Sequence, residues 1–410
     1  MKLFLKPILI SVFIAFTLLS AGQPIKKIRI NPDYARGGTV SQIFESVTYI
    51  PLETTKESTF GSINNLQVSK HYFTFYDFDT KSIYIFDKKG KFVSKIDKAP
   101  NMPKEYIYGL SNFVLNPFDE LIYLIYAYRN HDNPKRPVVI QLAVFNPAGG
   151  LNKVVKLDTT LFKSLNYSSF TFTDSHTTLF ANETRHNSSQ HYFTLLKEFS
   201  QVIQPLIPYS ASDPFIDFAK NYQVNSRSAT NSIWARNHDF DVDIMEDKQF
   251  LKYRFVFPAR LSIDSAVYKD TAMMKDPMLL DTYNRKHKDV ITSIGDFYKS
   301  GNLLTFLLLK GNSFNNNDVY LNSLSSGKLY SFGKISPDST NGYFPLIQYA
   351  ITGADSQYLY SFLPAYSLFE AKNKTADKHP VYSAALQRFF STENRKSNPV
   401  IVQLKPKRNL

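Results

Sequence analysis

The sequence predicts an all-β fold, a six-bladed β-propeller with ring closure by N- and C-terminal strands. Three observations predict it: one hairpin pattern recurs along the chain, Phe and Tyr are abundant, and strands from both ends can complete a last blade. The 410 residues include 34 Phe and 26 Tyr, which bury large areas between twisted sheets. Because Cys is absent, disulfide frameworks, Cys-ligated zinc, iron–sulfur clusters and thiol nucleophiles are excluded.

The first 22 residues have the pattern of a secretory signal peptide. Lys2 and Lys6 precede the apolar run 8–19, and small residues follow up to Gly22. We expect cleavage after Gly22 and an exported protein, in the periplasm or outside the cell; an uncleaved N-terminal anchor is the alternative. No later run reaches the roughly 18 apolar residues of a membrane span, so we expect no transmembrane segment and a soluble mature chain. Without Cys the chain offers no thiol for lipoprotein anchoring.

The recurring unit is a pair of short strands joined by a tight turn. In the clearest copy, strands at 82–86 and 91–96 flank the turn 87–90, and another strand at 72–76 precedes them. Gly90 supplies the positive φ that such a hairpin needs. Similar turns recur near residues 150, 200, 248 and 327. Repeating units with the spacing of these turns and about four strands each are typical of propeller blades. The alternative is two β-sandwich domains, which rarely repeat one hairpin five times.

The propeller is predicted over residues 47–404. We assemble its sixth blade from the segments 343–350, 357–363, 400–404 and 47–52, which ties the two chain ends into one sheet. Helical insertions are expected near 258–288 and 377–395. The other segments are the signal peptide at 1–22, an N-terminal extension at 23–46 and a basic tail at 405–410.

Several stretches resemble a known family of exported proteins. They are Tyr49-Ile50-Pro51-Leu52-Glu53-Thr54, Phe60-Gly61-Ser62-Ile63, Ser82-Ile83-Tyr84-Ile85-Phe86-Asp87, Pro103-Lys104-Glu105-Tyr106 and Asn398-Pro399-Val400-Ile401-Val402. Together they resemble the 6-bladed β-propeller proteins of Bacteroidetes, which share the architecture of NHL-type propellers. The resemblance extends over the mature chain and implies a propeller fold and export, but no established reaction. Residues 97–102 replace the family's Gly-rich stretch, and the Cys of its lipoprotein members is absent.

The charge of the chain is mild for its length. The formal charge is +13, and without Lys2 and Lys6 it is +11. The basic residues are scattered beside turns, so we expect no nucleic-acid surface. Long-range attraction to anionic glycans remains compatible with this charge.

Two patterns are candidate binding sites. Asp239, Asp241 and Asp243 alternate and would share one face of a strand, where carboxylates could help to hold a hard cation such as Ca²⁺; an exposed acidic face is the alternative. Trp234, the single Trp, could stack on a sugar ring or lie in the core. The eight His are dispersed without metal-ligand spacing, and each is interpreted as a surface or packing residue.

The sequence favours a binding or interaction module at the bacterial cell envelope. We expect a monomer without cofactor, whose ligand or partner is a glycan, a peptide or an envelope protein. The alternative is a propeller-type hydrolase or lyase acting on envelope or dietary polysaccharide. An enzyme would bring His, Asp or Glu from at least three blades together at one mouth of the channel, whereas a binding protein would line it with Tyr, Phe, Ser and Asn.

Overall fold

Antiparallel strands dominate the computed structural model, which describes residues 25–100, 109–128, 138–182, 191–208, 223–235, 240–263, 276–311 and 319–410, together with residues 267, 270 and 273. The strands form six sheets of four antiparallel strands, and two of the sheets have a fifth strand. The first strands of successive sheets lie against one another, so the sheets surround one axis. The six-bladed β-propeller is therefore confirmed.

Strands are numbered in chain order and blades in the order of their first strands. The N-terminal segment contains β1 (Lys26–Arg29), β2 (Arg36–Thr39) and β3 (Phe44–Pro51). Blade 1 contains β4 (Asn64–Val68), β5 (Tyr72–Asp77), β6 (Ser82–Asp87) and β7 (Phe92–Ile96). Blade 2 contains β8 (Val114–Leu115), β9 (Ile122–Tyr128), β10 (Val139–Phe145) and β11 (Leu151–Lys156). Blade 3 contains β12 (Leu165–Phe172), β13 (Thr177–Asn182), β14 (His191–Lys197) and β15 (Gln201–Pro208).

The second half of the ring follows the same plan. Blade 4 contains β16 (Gln223–Arg227), β17 (Asn231–Ala235), β18 (Asp241–Glu246) and β19 (Gln249–Val256). Blade 5 contains β20 (Ile291–Ser300), β21 (Leu303–Lys310), β22 (Val319–Ser323) and β23 (Leu329–Ser336). Blade 6 contains β24 (Gly353–Ala354), β25 (Leu359–Leu363), β26 (Val400–Pro406) and β3 as its outer strand.

Blade 6 is built from both ends of the chain, as expected. β26 pairs antiparallel with β3, and Val402 lies opposite Tyr49 in the register. The innermost strand differs from the sequence-based assignment: residues 343–350 form turns, and Gly353–Ala354 is the strand nearest the axis. The pairing is irregular where this strand begins, since the Thr352 N–H donates to the Tyr360 carbonyl oxygen at 2.8 Å while Gly353 lies opposite Tyr360 in the register.

The segment expected as an extension at 23–46 contributes two edge strands. β1 adds to blade 4 in parallel with β19, and β2 adds to blade 5 in parallel with β23. The expected basic tail is also anchored, since the carbonyl oxygen of Leu410 accepts hydrogen bonds from the hydroxyls of Ser323 and Ser326, each at 3.0 Å. The N-terminal segment thus follows the outside of blades 4 and 5 before it completes blade 6.

The helices lie in the connections between strands. They are α1 (Val40–Ile43), α2 (Thr159–Phe162), α3 (Pro277–Lys286), α4 (Ala365–Lys374) and α5 (Ala384–Thr392). α3 begins where Asp276 accepts a hydrogen bond from the backbone N–H of Met278, within the insertion expected near 258–288. The second insertion begins earlier than expected, because α4 precedes the segment 377–395 that contains α5. Within the described part of the chain, no helix is long and apolar enough to cross a membrane.

Aromatic side chains fill the spaces between blades. In blade 1, Phe73, Phe75, Tyr84 and Phe86 are fully buried, and Phe60 packs against three of these rings with centroid distances of 4.8 to 5.9 Å. Alternation along β5 and β6 places large rings on the faces that neighbouring blades cover. This packing makes the ring rigid and fixes the positions of the strands around the axis.

Candidate functional site

The central channel is closed on one side of the ring and open on the other. In blades 1 to 5 one turn joins the first strand to the second and another joins the third to the fourth, and we call the side of the ring that carries these turns the turn face. The opposite side carries the connections from the second strand to the third and from one blade to the next, and we call it the loop face. Near the turn face four of the six first strands end in buried apolar residues, and the other two end in Arg227 and Ser300. The four apolar residues are Val68, Leu115, Phe172 and Ala354. Toward the loop face the channel widens, because an added Cβ atom on Gly295 of β20 would have no other heavy atom within 4 Å.

Bulges in the first strands create this wider space, which we call the funnel. The register shifts between Asn64 and Gln67 in β4, and between Gly295 and Tyr298 in β20. Inside these bulges Asn65 and Asp296 adopt left-handed backbone conformations, with φ of 51° and 50°. Such strained residues cluster at functional sites, and here both side chains are exposed near the axis.

Three polar side chains of blades 4 and 5 are linked through Tyr298, which interacts electrostatically with both Arg227 and Asp296. The backbone of Arg227 ends β16 at the turn face, but its side chain reaches back toward the funnel, since it contacts Ser168, four residues before the end of β12. Asp296 and Tyr298 lie two residues apart in β20. The Arg227 guanidinium donates from Nε to the carbonyl oxygen of Phe170 at 2.8 Å and from Nη2 to that of Ser168 at 3.4 Å. These bonds fix the guanidinium between blades 3 and 4 and engage two of its five N–H groups.

The funnel alters the ionisation of these three groups. Burial lowers the pKa of Arg227 to about 9, although the residue stays protonated at neutral pH. Burial raises the pKa of Asp296. Burial also raises the pKa of Tyr298; the Asp296 charge adds to this effect and the Arg227 charge opposes it. The Asp296 side chain reaches solvent, but the protein around it hydrates the carboxylate less well than bulk water does, which disfavours its charged form.

No described residue neutralises the two charges directly. Among the residues that the structure describes, neither Arg227 nor Asp296 forms an ion pair, and the only charge effect on Arg227 comes from Tyr298. A partly buried cation with free N–H donors is suited to binding a carboxylate, sulfate or phosphate group. Asp296 and Tyr298 can accept or donate hydrogen bonds to the same ligand.

The predicted acidic strand face is only partly described. Asp239 lies outside the described residues, whereas Asp241 and Asp243 are both buried in β18. Asp241 contacts Arg254 through two hydrogen bonds of 2.6 and 2.7 Å, and Lys252 Nζ lies 3.4 Å away. Burial would raise the pKa of Asp241, but these cations outweigh it and hold the pKa below its ordinary value. Across the described ranges, no three His, Asp or Glu side chains are grouped to hold a metal ion.

Trp234 lies in the core of the propeller. Its side chain is 0% exposed, its indole N–H donates to the Ser232 hydroxyl at 2.9 Å, and its ring meets Phe193 edge-on at 5.1 Å between centroids. No face of the indole is open to a sugar ring in this arrangement. The structure therefore supports the core interpretation of Trp234.

A second polar cluster lies between blades 1 and 6 near the turn face. Lys88 Nζ donates to the Tyr360 hydroxyl at 3.1 Å and lies 4.4 Å from the centroid of the Phe73 ring. The Tyr360 hydroxyl in turn donates to Asp355 at 2.6 Å. Burial lowers the pKa of Lys88 to about 8, although Asp355 and Glu120 oppose the shift.

This cluster predicts a pH dependence of stability. Between pH 8 and pH 10 the unfolded chain keeps the Lys88 proton and the folded chain loses it, so the free energy of unfolding of the wild type should rise relative to that of Lys88→Met. Urea unfolding of both proteins at pH 7, 8, 9 and 9.5 measures the difference. Lys89→Met, at the exposed neighbouring position, is the control. The prediction would be contradicted if the free energy of unfolding changed with pH by the same amount in the wild type and in both variants.

Comparison with known proteins gives a family and a fold. The model of a domain of unknown function, DUF4934, matches residues 26–405. No curated protein matches the chain. A crystal structure named as an exported protein of Bacteroides fragilis NCTC 9343 is 13% identical, with a TM-score of 0.57; the alignment covers 93% of this chain and 100% of that one.

Two other solved structures are more distant. A member of the DUF4221 family from Bacteroides vulgatus ATCC 8482 is 11% identical over 89% of this chain and 97% of its own, with a TM-score of 0.42. A protein of Listeria monocytogenes EGD-e is 12% identical over 75% of this chain and 97% of its own, with a TM-score of 0.31. Of these three structures, the Bacteroides fragilis protein with its TM-score of 0.57 supports the fold, and at 13% identity it is informative about the fold alone.

Proposed function

Because the chain belongs to the DUF4934 family, whose description gives no activity, we propose from its own residues that it is a binding module exported to the bacterial cell envelope. Its ligand presents an anionic group to Arg227 in the funnel. The observation that carries this proposal is a guanidinium held by two backbone carbonyls, with no carboxylate partner among the described residues. A desolvated cation gains most from a ligand that supplies the missing negative charge.

The N-terminal sequence supports export. Residues 1–22 have the basic, apolar and small-residue order of a signal peptide, and one structural relative is named as an exported protein. The scattered positive charge of the chain adds a favourable long-range potential for an anionic ligand.

The funnel also supports a second candidate, a lyase. Tyr298 interacts electrostatically with both Asp296 and Arg227, and an acid–base pair near a cation suits proton abstraction adjacent to a carboxylate. A glycosidase is less well supported, since it needs two carboxyl groups facing one bond, and Asp296 is the funnel carboxylate among the described residues. Appearance of an unsaturated, ultraviolet-absorbing product from an acidic oligosaccharide would favour the lyase.

Replacement of Arg227 tests the proposed function. We expect the mature chain to bind tetragalacturonate or tetraglutamate, two carboxylate-bearing probes, and Arg227→Met to lower the affinity by about 30-fold or more. Isothermal titration calorimetry measures both affinities. Arg285→Met removes the same charge from an exposed position on α3 and is the matched control. The proposal would be contradicted if neither probe binds the wild type, or if Arg227→Met and Arg285→Met lose the same amount of affinity.

A further inference from the structure

Two exposed tyrosine rings lie beside blade 6 on the loop face. Tyr349 is 64% exposed and Tyr366 is 49% exposed. The chain segments that carry them touch, because the Ser367 hydroxyl lies 3.4 Å from Oε1 of Gln348. Two exposed rings on chain segments that touch are unusual here, because most aromatic side chains in the described part of the chain are buried.

The topology places the segments that carry these rings on the loop face. Tyr349 belongs to the connection from β23 to β24 and comes three residues before Thr352, which enters the innermost strand of blade 6. Tyr366 lies in the first turn of α4, in the connection from β25 to β26. In an antiparallel blade both connections emerge at the same face, here the loop face where the funnel opens.

The backbone under both rings is held firmly. The Tyr49 hydroxyl donates to the carbonyl oxygen of Pro345 at 3.1 Å, and the Ser361 hydroxyl donates to that of Leu346. Beside Tyr349 the side chain of Ile351 is buried, and beside Tyr366 that of Leu368 is buried in α4. Rings on a fixed backbone lose little conformational entropy when a ligand covers them, so the pair is preorganised for binding.

We propose that Tyr349 and Tyr366 form a stacking platform for a pyranose ring, and that the ligand is an acidic oligosaccharide. The proposal rests on the proposed function, since Arg227 binds the carboxylate of the sugar. A flat exposed aromatic ring offers an apolar surface that fits the C–H face of a sugar. Because the platform belongs to blade 6 and Arg227 to blade 4, a ligand that reaches both has to bridge the funnel, which requires more than one sugar ring.

The platform is tested with the double variant Tyr349→Ser, Tyr366→Ser. Both side chains are exposed, so the fold should persist, and the affinity for tetragalacturonate should fall about tenfold. Tyr34→Ser, at an 81% exposed position on the outer N-terminal segment, should leave the affinity unchanged. Tyr349→Trp with Tyr366→Trp should keep the wild-type affinity or raise it, because a larger ring stacks at least as well.

Further measurements separate failure of the platform from failure of the anion site. Fully methyl-esterified tetragalacturonate has the same rings without the charge, so it should bind weakly to the wild type and not respond to Arg227→Met. If Arg227→Met weakens tetragalacturonate binding and the double Tyr variant does not, the platform is wrong and the anion site stands. If tetraglutamate binds as tightly as tetragalacturonate, the ligand class is wrong. If only the Tyr variants weaken binding, the platform stands and the anion site is wrong.

Discussion

Removal of residues 400–410 is expected to abolish the cooperative unfolding transition of the whole ring. β26 is the third strand of blade 6, and its residues Val400, Ile401, Val402 and Leu404 are fully buried between β25 and β3. Without β26 both neighbours lose their hydrogen-bond partner, and the N-terminal strand has nothing left to join. Urea unfolding followed by circular dichroism and by the fluorescence of Trp234 measures the effect.

A shorter truncation is the control. Removal of residues 407–410 leaves β26 intact and deletes the hydrogen bond from the Lys407 N–H to the Ile43 carbonyl and the contacts of Leu410. We expect this chain to unfold cooperatively, with a loss of about 1–2 kcal/mol. Trp234 lies in blade 4, away from blade 6, so a normal fluorescence transition in the longer truncation would show that ring closure is dispensable.

Trp234→Ala should destabilise the protein by about 3–5 kcal/mol, the usual cost of deleting a large buried aromatic side chain. The indole fills the space between β17 and Phe193, and its loss leaves the Ser232 hydroxyl without this partner in the core. Thermal and urea unfolding report the change. Trp234→Phe keeps most of the packing and should cost less than half as much.

The same variants decide whether Trp234 contributes to binding. Since the ring is fully buried, we expect Trp234→Phe to bind tetragalacturonate with wild-type affinity. If Trp234→Phe has an unfolding free energy close to that of the wild type but no longer binds tetragalacturonate, the indole stacks on the ligand and the core interpretation is wrong.

The blades could be predicted because their strands and turns follow from patterns of neighbouring residues in the sequence. The turn 87–90 and the alternating strands around it appear in the sequence as they do in blade 1, and the apolar run at 400–404 identifies the closing strand. β1 and β2 were missed because their sequences, KKIR and RGGT, have no apolar alternation. They are strands only because β19 and β23 offer a free edge, and the edge is not visible in the local sequence.

The surroundings of the acidic strand were missed for a related reason. The alternation of Asp241 and Asp243 is visible in the local sequence, but the cations Lys252 and Arg254 lie on the next strand, in a register that only the fold provides. The funnel residues were missed because they come from different blades. Arg227 and Tyr298 are far apart in the chain and meet through the packing of blades 4 and 5. One local signal exists: Gly295 and Asp296 interrupt a run of strand-forming residues, as a bulge does.

β1 is the first described strand to be synthesised, and its partner comes more than half a chain later. Lys26 pairs with Tyr253, Gly38 with Ile335 and Val47 with Leu404. During synthesis β1 therefore lacks its partner until β19 has been made, β2 until β23 has been made, and β3 until β26 has been made. Pairing over such separations is slow. Late pairing of these three strands is compatible with the proposed export, in which the chain would cross a membrane before it folds.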